Sequence, residues 1–378
     1  MTPAKPTDKP TAAKKTVSPP KTPTAGGVQL KLDRVDASLA KLLQERARLA
    51  MQAAALAPST EPLVPPSVHE EDVLARLVKT HDKPLPDACL RAIFRELNSG
   101  CRALVRRVRV AFLGPLYTYS HLAALHRFGQ SVEFVPVANI AAVFEEVNRG
   151  QADFGLVPVE NSTDGRIADT LDMFTRLPVR ICGDVAMHIH HALLGKCGRT
   201  DVKEVYSKPQ ALSQCRNWIS RHLPTARTIE VTSTATAAQL AREKPGAAAI
   251  AGLHAGMHYG LDILAERIED DPENVTRFAV IGDHCAPRTG SDKTALLFQV
   301  EHRPGALADA MGIFKRNRLN LTWIESFPIP GSNRGYFFFV EMEGHQTDSR
   351  VRRAVEALQR KALRLEILGS YPVTTVVA

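Results

Sequence analysis

Thr276-Arg277-Phe278 leads straight into the apolar strand Ala279-Val280-Ile281-Gly282, with Ile268-Glu269-Asp270-Asp271 and then Asn274-Val275 upstream. Alone the tripeptide says little. It closes a series of four earlier strand-to-hydroxyl junctions. These are Gly114-Pro115-Leu116-Tyr117-Thr118-Tyr119-Ser120, Pro158-Val159-Glu160-Asn161-Ser162, Tyr206-Ser207-Lys208-Pro209-Gln210 and Thr232-Ser233-Thr234-Ala235. At each, a strand ends, a Ser or Thr caps the next helix, and free backbone N–H groups face the strand's carboxyl end. Several such ends converging on one crevice make an anion-binding cleft. Thr118 or Ser120, Ser162, Ser207, and Ser233 or Thr234 contribute to it. One such junction is an ordinary helix cap; five in one domain make a pattern.

Outward from this core the period of the sequence changes twice. Short apolar runs alternate with amphipathic helices through Val108–Leu113, Phe154–Val159, Glu204–Tyr206, Ile229–Thr232, Ala247–Ala251 and Phe278–Ile281, which predicts α/β units on a parallel sheet. Asp283–Lys293 is polar, holds Pro287 and Gly290, and reads as a linker. Beyond it the order is β-α-β-β-α-β, the pattern of a small ferredoxin-like domain over 294–372. Before residue 108 there is no strand pattern. Residues 28–107 read as three helices, the first with a heptad-like seam of Leu32, Val35, Leu39, Leu42 and Leu49 on which Arg46 also falls. The fold class is therefore multidomain: an all-α N-terminal domain, an α/β domain over 108–285 and a ferredoxin-like domain.

The chain has 378 residues, of which 44% are hydrophobic, enough for two or three real cores. Cysteines 89, 101, 182, 197, 215 and 285 show no paired spacing, which fits thiols in a reducing compartment. No apolar run of membrane length and no signal-peptide pattern appears, so a soluble cytoplasmic protein is the expectation. The net charge of +8 is partly local, because residues 1–27 carry Lys5, Lys9, Lys14, Lys15 and Lys21 against Asp8 alone. That tail, with six prolines, reads as disordered. It lacks the aromatics that base stacking wants, so neither nucleic acid nor membrane is expected as a partner. His188, His190 and His191 invite a metal reading. Alternation puts His188 and His190 on one strand face and His191 on the other, and Cys182 and Asp184 lie too far along the strand to join them. The expectation is no metal and a polar connecting strand between two lobes.

In this order, the five junctions resemble prephenate dehydratase over residues 108–285. The resemblance implies a two-lobed α/β domain like that of periplasmic binding proteins. Its substrate, prephenate, loses CO2 and water to become phenylpyruvate, and aromatisation drives the step, so no cofactor is expected. The catalyst assists the departing ring hydroxyl and holds two carboxylates. The family's essential threonine falls on Thr276. The resemblance places Thr118, Ser120, Asn161, Ser162, Ser207, Gln210, Ser233, Thr234 and Arg277 around the substrate; Arg277 reads equally as structural. Two positions depart from the family pattern: Tyr117 stands for a usual Gly and Lys208 for a usual His. Both bear on the choice between prephenate and its amino analogue arogenate.

The N-terminal helices resemble the chorismate mutase domain that precedes such dehydratases. The resemblance rests on Val35-Asp36, Glu45-Arg46, Glu70 through Leu77, and Ile93-Phe94-Arg95-Glu96. Arg46 and Glu70 match the mutase pocket. Gln29, Ala57, Pro66, His69, Cys101 and Val105 replace its other polar or charged groups, with Lys31 near the first. Fewer cations for a dianionic substrate imply weak or absent mutase activity and a retained dimerisation module. Residues 294–372 resemble an ACT domain, an amino-acid sensor. Gly305, Ala306 and Leu307 open its first helix, and Glu325 and Ser326 follow its second strand, with Phe327 where an Arg is common. The resemblance implies phenylalanine as effector and a homodimer or homotetramer.

Overall fold

The computed structural model describes residues 25–56, 68–80, 84–329, 335–374 and 376–377. The tail read over 1–27 lies outside the described residues except at 25–27, which are already helical. Ala57, Pro66 and the His69 side chain also lie outside them. Three helices form as expected: Ala25–Leu56, Val68–Thr80 and Asp87–Val105. The chain divides into two units at Ala53–Ala54, and the first helix is described by itself. Its seam of Leu32, Val35, Leu39, Leu42 and Leu49 is exposed. The third helix is fixed to the α/β domain at residues 130–131. Ser99 Oγ accepts from the Ser131 amide at 3.1 Å, and Glu96 accepts from the Gln130 amide at 2.9 Å.

The first lobe of the α/β domain is a seven-stranded sheet. Its order is Val376–Val377, Arg180–His188, Val275–Gly282, Phe154–Asn161, Arg109–Leu113 and Glu133–Val137, with Gly165–Arg166 pairing against Phe154–Asn161. The second lobe has five strands in the order Asp262–Ala265, Ala192–Gly195, Ala247–Ala251, Glu204–Ser207 and Arg227–Glu230. Ala247–Ala251 is buried along its whole length. Alanines 235, 237, 238 and 241 of the helix Thr234–Glu243 are buried, and the last three share one small-residue core with that strand. Both sheets are mixed rather than parallel, which corrects the expectation. The chain crosses between lobes twice, through 189–191 and 266–274. Crossing back reverses it, so Val275–Gly282 runs antiparallel to both of its neighbours.

The two crossings are tied together. Glu269 accepts from the His191 amide at 2.8 Å and pairs with His190 Nδ1 at 2.7 Å. Ile268 N donates to His191 O and Ile189 N donates to Asn274 O. His191 Nε2 contacts Gln214 Oε1 at 3.0 Å. His190 and His191 thus serve the connection between lobes.

The C-terminal domain has the β-α-β-β-α-β order, with strands Asp292–Gln299, Leu321–Pro328, Tyr336–Glu343 and Arg364–Pro372 and helices Ala306–Arg316 and Ser349–Gln359. All pairings are antiparallel, and Leu321–Pro328 and Arg364–Pro372 are the edges. One sheet face covers its own helices. The other shares a core with the first lobe, where Leu297, Phe327, Phe339 and Tyr371 join Val143, Phe144, Leu171 and Ile281. At Gly369 the backbones approach so closely that a Cβ would sit 2.0 Å from Ile181 O. The stretch read as a linker is therefore short and ordered, and Asp292 already belongs to a strand. Beyond the expected boundary at 372, Val376–Val377 adds a parallel strand to Arg180–His188. Thr374 Oγ1 donates to Asp184 at 2.6 Å.

Candidate active site

Strand pairing brings Thr276 opposite Asn161. The Asn161 amide is oriented by its surroundings. Its Oδ1 accepts from the backbone N–H groups of Thr163 and Asp164, each at 3.0 Å. Its Nδ2 is therefore the donor, to Thr276 Oγ1 at 2.8 Å and to Asn274 Oδ1 at 2.9 Å. Ser162 Oγ accepts from the Val275 amide at 2.9 Å and approaches Asn274 Oδ1 at 3.4 Å. Asn161, Asn274 and Thr276 are all buried. Thr276 Oγ1 is an acceptor in this network, and its own O–H has no acceptor among the described residues. It is a positioned hydroxyl with a proton to offer. Asn274 was not singled out in the sequence. Its place two residues before Thr276, on the same side of an alternating segment, is the signal that marks it.

The other predicted residues divide by their use. Thr118 caps the helix Tyr119–Phe128, accepting from His121 N at 3.4 Å, and Ser233 caps Thr234–Glu243, accepting from Thr236 N at 3.0 Å. Ser120 and Thr234 lie buried in the first turns of those helices. Gln210 is exposed on the short helix Pro209–Gln214. Ser207 does not face a cleft. It is 0% exposed and donates to Ile250 O at 2.7 Å, inside its own sheet.

Tyr117 holds a left-handed backbone, φ 66, which an L side chain adopts at a cost of about 1–2 kcal/mol. Its ring stacks on His258 of the second lobe at 3.9 Å, so this side chain spans from one lobe to the other. Lys208 enters from the second lobe. It is within Coulombic reach of Asp164, on the turn after Asn161, and of His191. Burial lowers the Lys208 pKa, and Asp164 offsets part of that. Gln214 Nε2 also reaches Asp164, at 3.1 Å. Burial likewise keeps His191 below the usual imidazole range.

Arg277 turns the other way. Successive side chains on a strand alternate, so the residue after Thr276 leaves the cluster. Its Nη1 donates to Glu160 at 2.9 Å and its Nη2 to both Glu341 oxygens at 2.7 and 2.9 Å, with Asp184 at 3.8 Å. The guanidinium lies over Trp323, 5.3 Å from the ring centroid. Tyr371 donates to Glu341 at 2.7 Å. Burial opposes the charge on Arg277, but Glu341, Tyr371 and Asp184 together outweigh it and hold the pKa above its ordinary value. Of the two readings of Arg277, this placement favours the structural one.

In the C-terminal domain Gly305 has φ 82 and starts the helix Ala306–Arg316, with Ala306 buried and Leu307 half-buried. Glu325 and Ser326 stand within the edge strand Leu321–Pro328, which runs on past them, rather than after it. Phe327 points inward, into the shared core beside Phe337. In the N-terminal helices Arg46 is half-buried on the first helix, and Glu70 pairs with Arg102 at 2.5 Å. No group of acidic, cysteine or histidine side chains suited to a metal, and no helix long and apolar enough to cross a membrane, occurs among the described residues.

Three family models match in the order of these domains: chorismate mutase type II over 28–106, prephenate dehydratase over 110–286 and ACT domain over 294–360. A bifunctional chorismate mutase/prephenate dehydratase from Stutzerimonas stutzeri is 40% identical over 352 residues, which is 91% of this chain and 96% of that one. The chain belongs to the bifunctional chorismate mutase/prephenate dehydratase family. The family relative from Aquifex aeolicus is 39% identical, with 90% of this chain and 96% of that one covered. Among solved structures, a prephenate dehydratase from Arthrobacter aurescens in complex with L-Phe is 34% identical with a TM-score of 0.66. It covers 70% of this chain and 90% of that one.

Proposed function

We propose that the chain converts prephenate to phenylpyruvate with Thr276 as the hydrogen-bond donor to the departing ring hydroxyl. The observation that carries this is the Asn161 Nδ2 to Thr276 Oγ1 bond at 2.8 Å, which occupies the threonine oxygen as acceptor and leaves its O–H to donate. As the ring C–O bond breaks, negative charge builds on the leaving oxygen, and a fixed donor there lowers the barrier. The electrons of the departing carboxylate flow into the ring as CO2 leaves. Thr118, Ser120, Ser162, Gln210, Ser233 and Thr234, each at a helix start or loop of its own lobe, are proposed to contact the substrate. Lys208 adds a cation for a substrate carboxylate. Arg277 and Ser207 are assigned to structure.

Phenylalanine is proposed to regulate the enzyme from the C-terminal domain. The open backbone at Gly305 supports a carboxylate contact there, and the edge position of Leu321–Pro328 in its sheet supports pairing of two copies around the ligand. A homodimer built partly on the exposed seam of the first helix fits the same reading. Chorismate turnover by the N-terminal helices is proposed to be weak or absent. Gln29 is used by Asp33 at 2.9 Å, and Glu70 is already paired with Arg102. The deciding experiment supplies the purified chain with prephenate, arogenate and chorismate in parallel. Phenylpyruvate from prephenate supports the proposal, absence of any dehydration refutes it, and fast chorismate consumption refutes the mutase statement alone.

A further inference from the structure

The turn after Asn161 is held from two sides. Within it, the side-chain oxygen of Asn161 gathers two backbone N–H groups, and Gly165–Arg166 pairs back against Asn161 and Glu160. Outside it, the Arg166 side chain leaves the α/β domain. Its Nη1 donates to the Ser326 carbonyl and stands 3.5 Å from Glu325 Oε2. Both acceptors belong to the edge strand Leu321–Pro328 of the C-terminal sheet. Arg166 also lies opposite Glu160, which is bound by Arg277, and Arg277 reaches Glu341 of that same sheet. Two arginines therefore fasten the Asn161–Thr276 pair to the C-terminal domain, one through the turn and one through the strand.

We propose that Arg166 is a positioning residue that couples the C-terminal domain to catalysis, holding the turn 161–166 at a place set by Glu325 and Ser326. This rests on the reading of Thr276 as the donor and of the C-terminal domain as a phenylalanine sensor. Arg166 is about one-third exposed, so its ion pair contributes little to stability. Its effect is on geometry. The Asn161 amide takes its orientation from the turn, and the Thr276 hydroxyl takes its own from that amide. A displacement of about 1 Å at a catalytic group costs on the order of a hundredfold in rate. A ligand that moves the Glu325–Ser326 strand moves the acceptors of Arg166, and the turn with them. Regulation requires such a difference in contacts between two arrangements, since a ligand that binds both equally shifts nothing.

The test uses the full chain with prephenate as substrate and phenylalanine as probe, in Arg166→Ala and Arg166→Lys. In Arg166→Ala, kcat is expected to fall about three- to thirtyfold with KM held within about twofold. Phenylalanine should still bind by calorimetry with affinity within about threefold of wild type, while the inhibition it causes falls at least about tenfold. Arg166→Lys keeps a donor for the Ser326 carbonyl and should restore part of both, and it serves as the working variant if the alanine form does not fold. Full inhibition retained in a variant that binds phenylalanine, or kcat unchanged from wild type, overturns the proposal. A wild-type chain that turns over no prephenate overturns the catalytic reading instead. One that turns it over but binds no phenylalanine overturns both the sensor reading and the coupling.

Discussion

Arg277→Met removes one cation from between three carboxylates while keeping an unbranched side chain over Trp323. Glu341 is 1% exposed and Asp184 is 4% exposed, so the change leaves two buried carboxylates without their main countercharge. Breaking a buried ion pair from one side costs about 3–5 kcal/mol. Lys293 Nζ remains 3.9 Å from Glu341, and the Arg277 side chain keeps 17% exposure, so the lower end applies, about 3 kcal/mol. At about 2–4 °C per kcal/mol for large domains, the melting point should drop by about 6–12 °C. The loss should depend on pH with a definite sign. Burial already holds the Asp184 pKa above its ordinary value. Removing Arg277 takes away one of the groups opposing that rise. A carboxyl whose folded pKa exceeds its unfolded one carries no penalty below the unfolded value, and the penalty accumulates as pH rises through the window between the two. The deficit of the variant should therefore be largest near neutral and alkaline pH and shrink as pH falls toward the carboxylate range. Calorimetric melts of both proteins across that range, together with prephenate turnover, measure it. A variant that melts with wild type at neutral pH, or a deficit that grows on acidification, refutes the reasoning.

Three further substitutions separate the roles assigned above. Asn161→Ala releases both the Thr276 oxygen and the 163–164 turn, and kcat should fall about 10–10²-fold while the melt changes little by comparison. Ser207→Ala removes only the buried bond to Ile250 O. It should cost about 1 kcal/mol of stability with kcat near wild type, and a large loss of kcat would return Ser207 to the substrate site. Lys208→Gln removes the cation proposed for a substrate carboxylate, a charge that would also disfavour the ammonium of arogenate beside that carboxylate. The ratio of kcat/KM for arogenate over prephenate should rise about tenfold, and an unchanged ratio would end that role for Lys208.

The sequence carried the fold furthest where a period was long or a junction repeated. The three N-terminal helices and the β-α-β-β-α-β order of the C-terminal domain stand where their patterns put them. Strand direction was not legible. Whether Val275–Gly282 runs with or against Phe154–Asn161 depends on the chain having crossed between lobes and returned, and no local pattern records that. The hydroxyls at the junctions were legible as caps, which Thr118 and Ser233 are. Ser207 was not separable from them, because a buried serine bonded to a strand carbonyl has the same local sequence as one facing a cleft. The alternation after Thr276 already implied that Arg277 faces the opposite side. Its partners Glu341 and Asp184 are 64 and 93 positions away along the chain, and only the folded sheet shows that the C-terminal domain closes over that face. Asn274 needed the same knowledge, since its use comes from Asn161 across the strand pair.

The central claim is that the Thr276 hydroxyl assists the departing hydroxyl of prephenate. The most direct measurement is phenylpyruvate formation from prephenate by the full chain and by Thr276→Ala, with circular dichroism and a thermal melt on both. The expected result is a variant that folds and melts as wild type and loses about 10²–10⁴-fold in kcat, with KM changed far less. Near-normal turnover by a folded Thr276→Ala would contradict it.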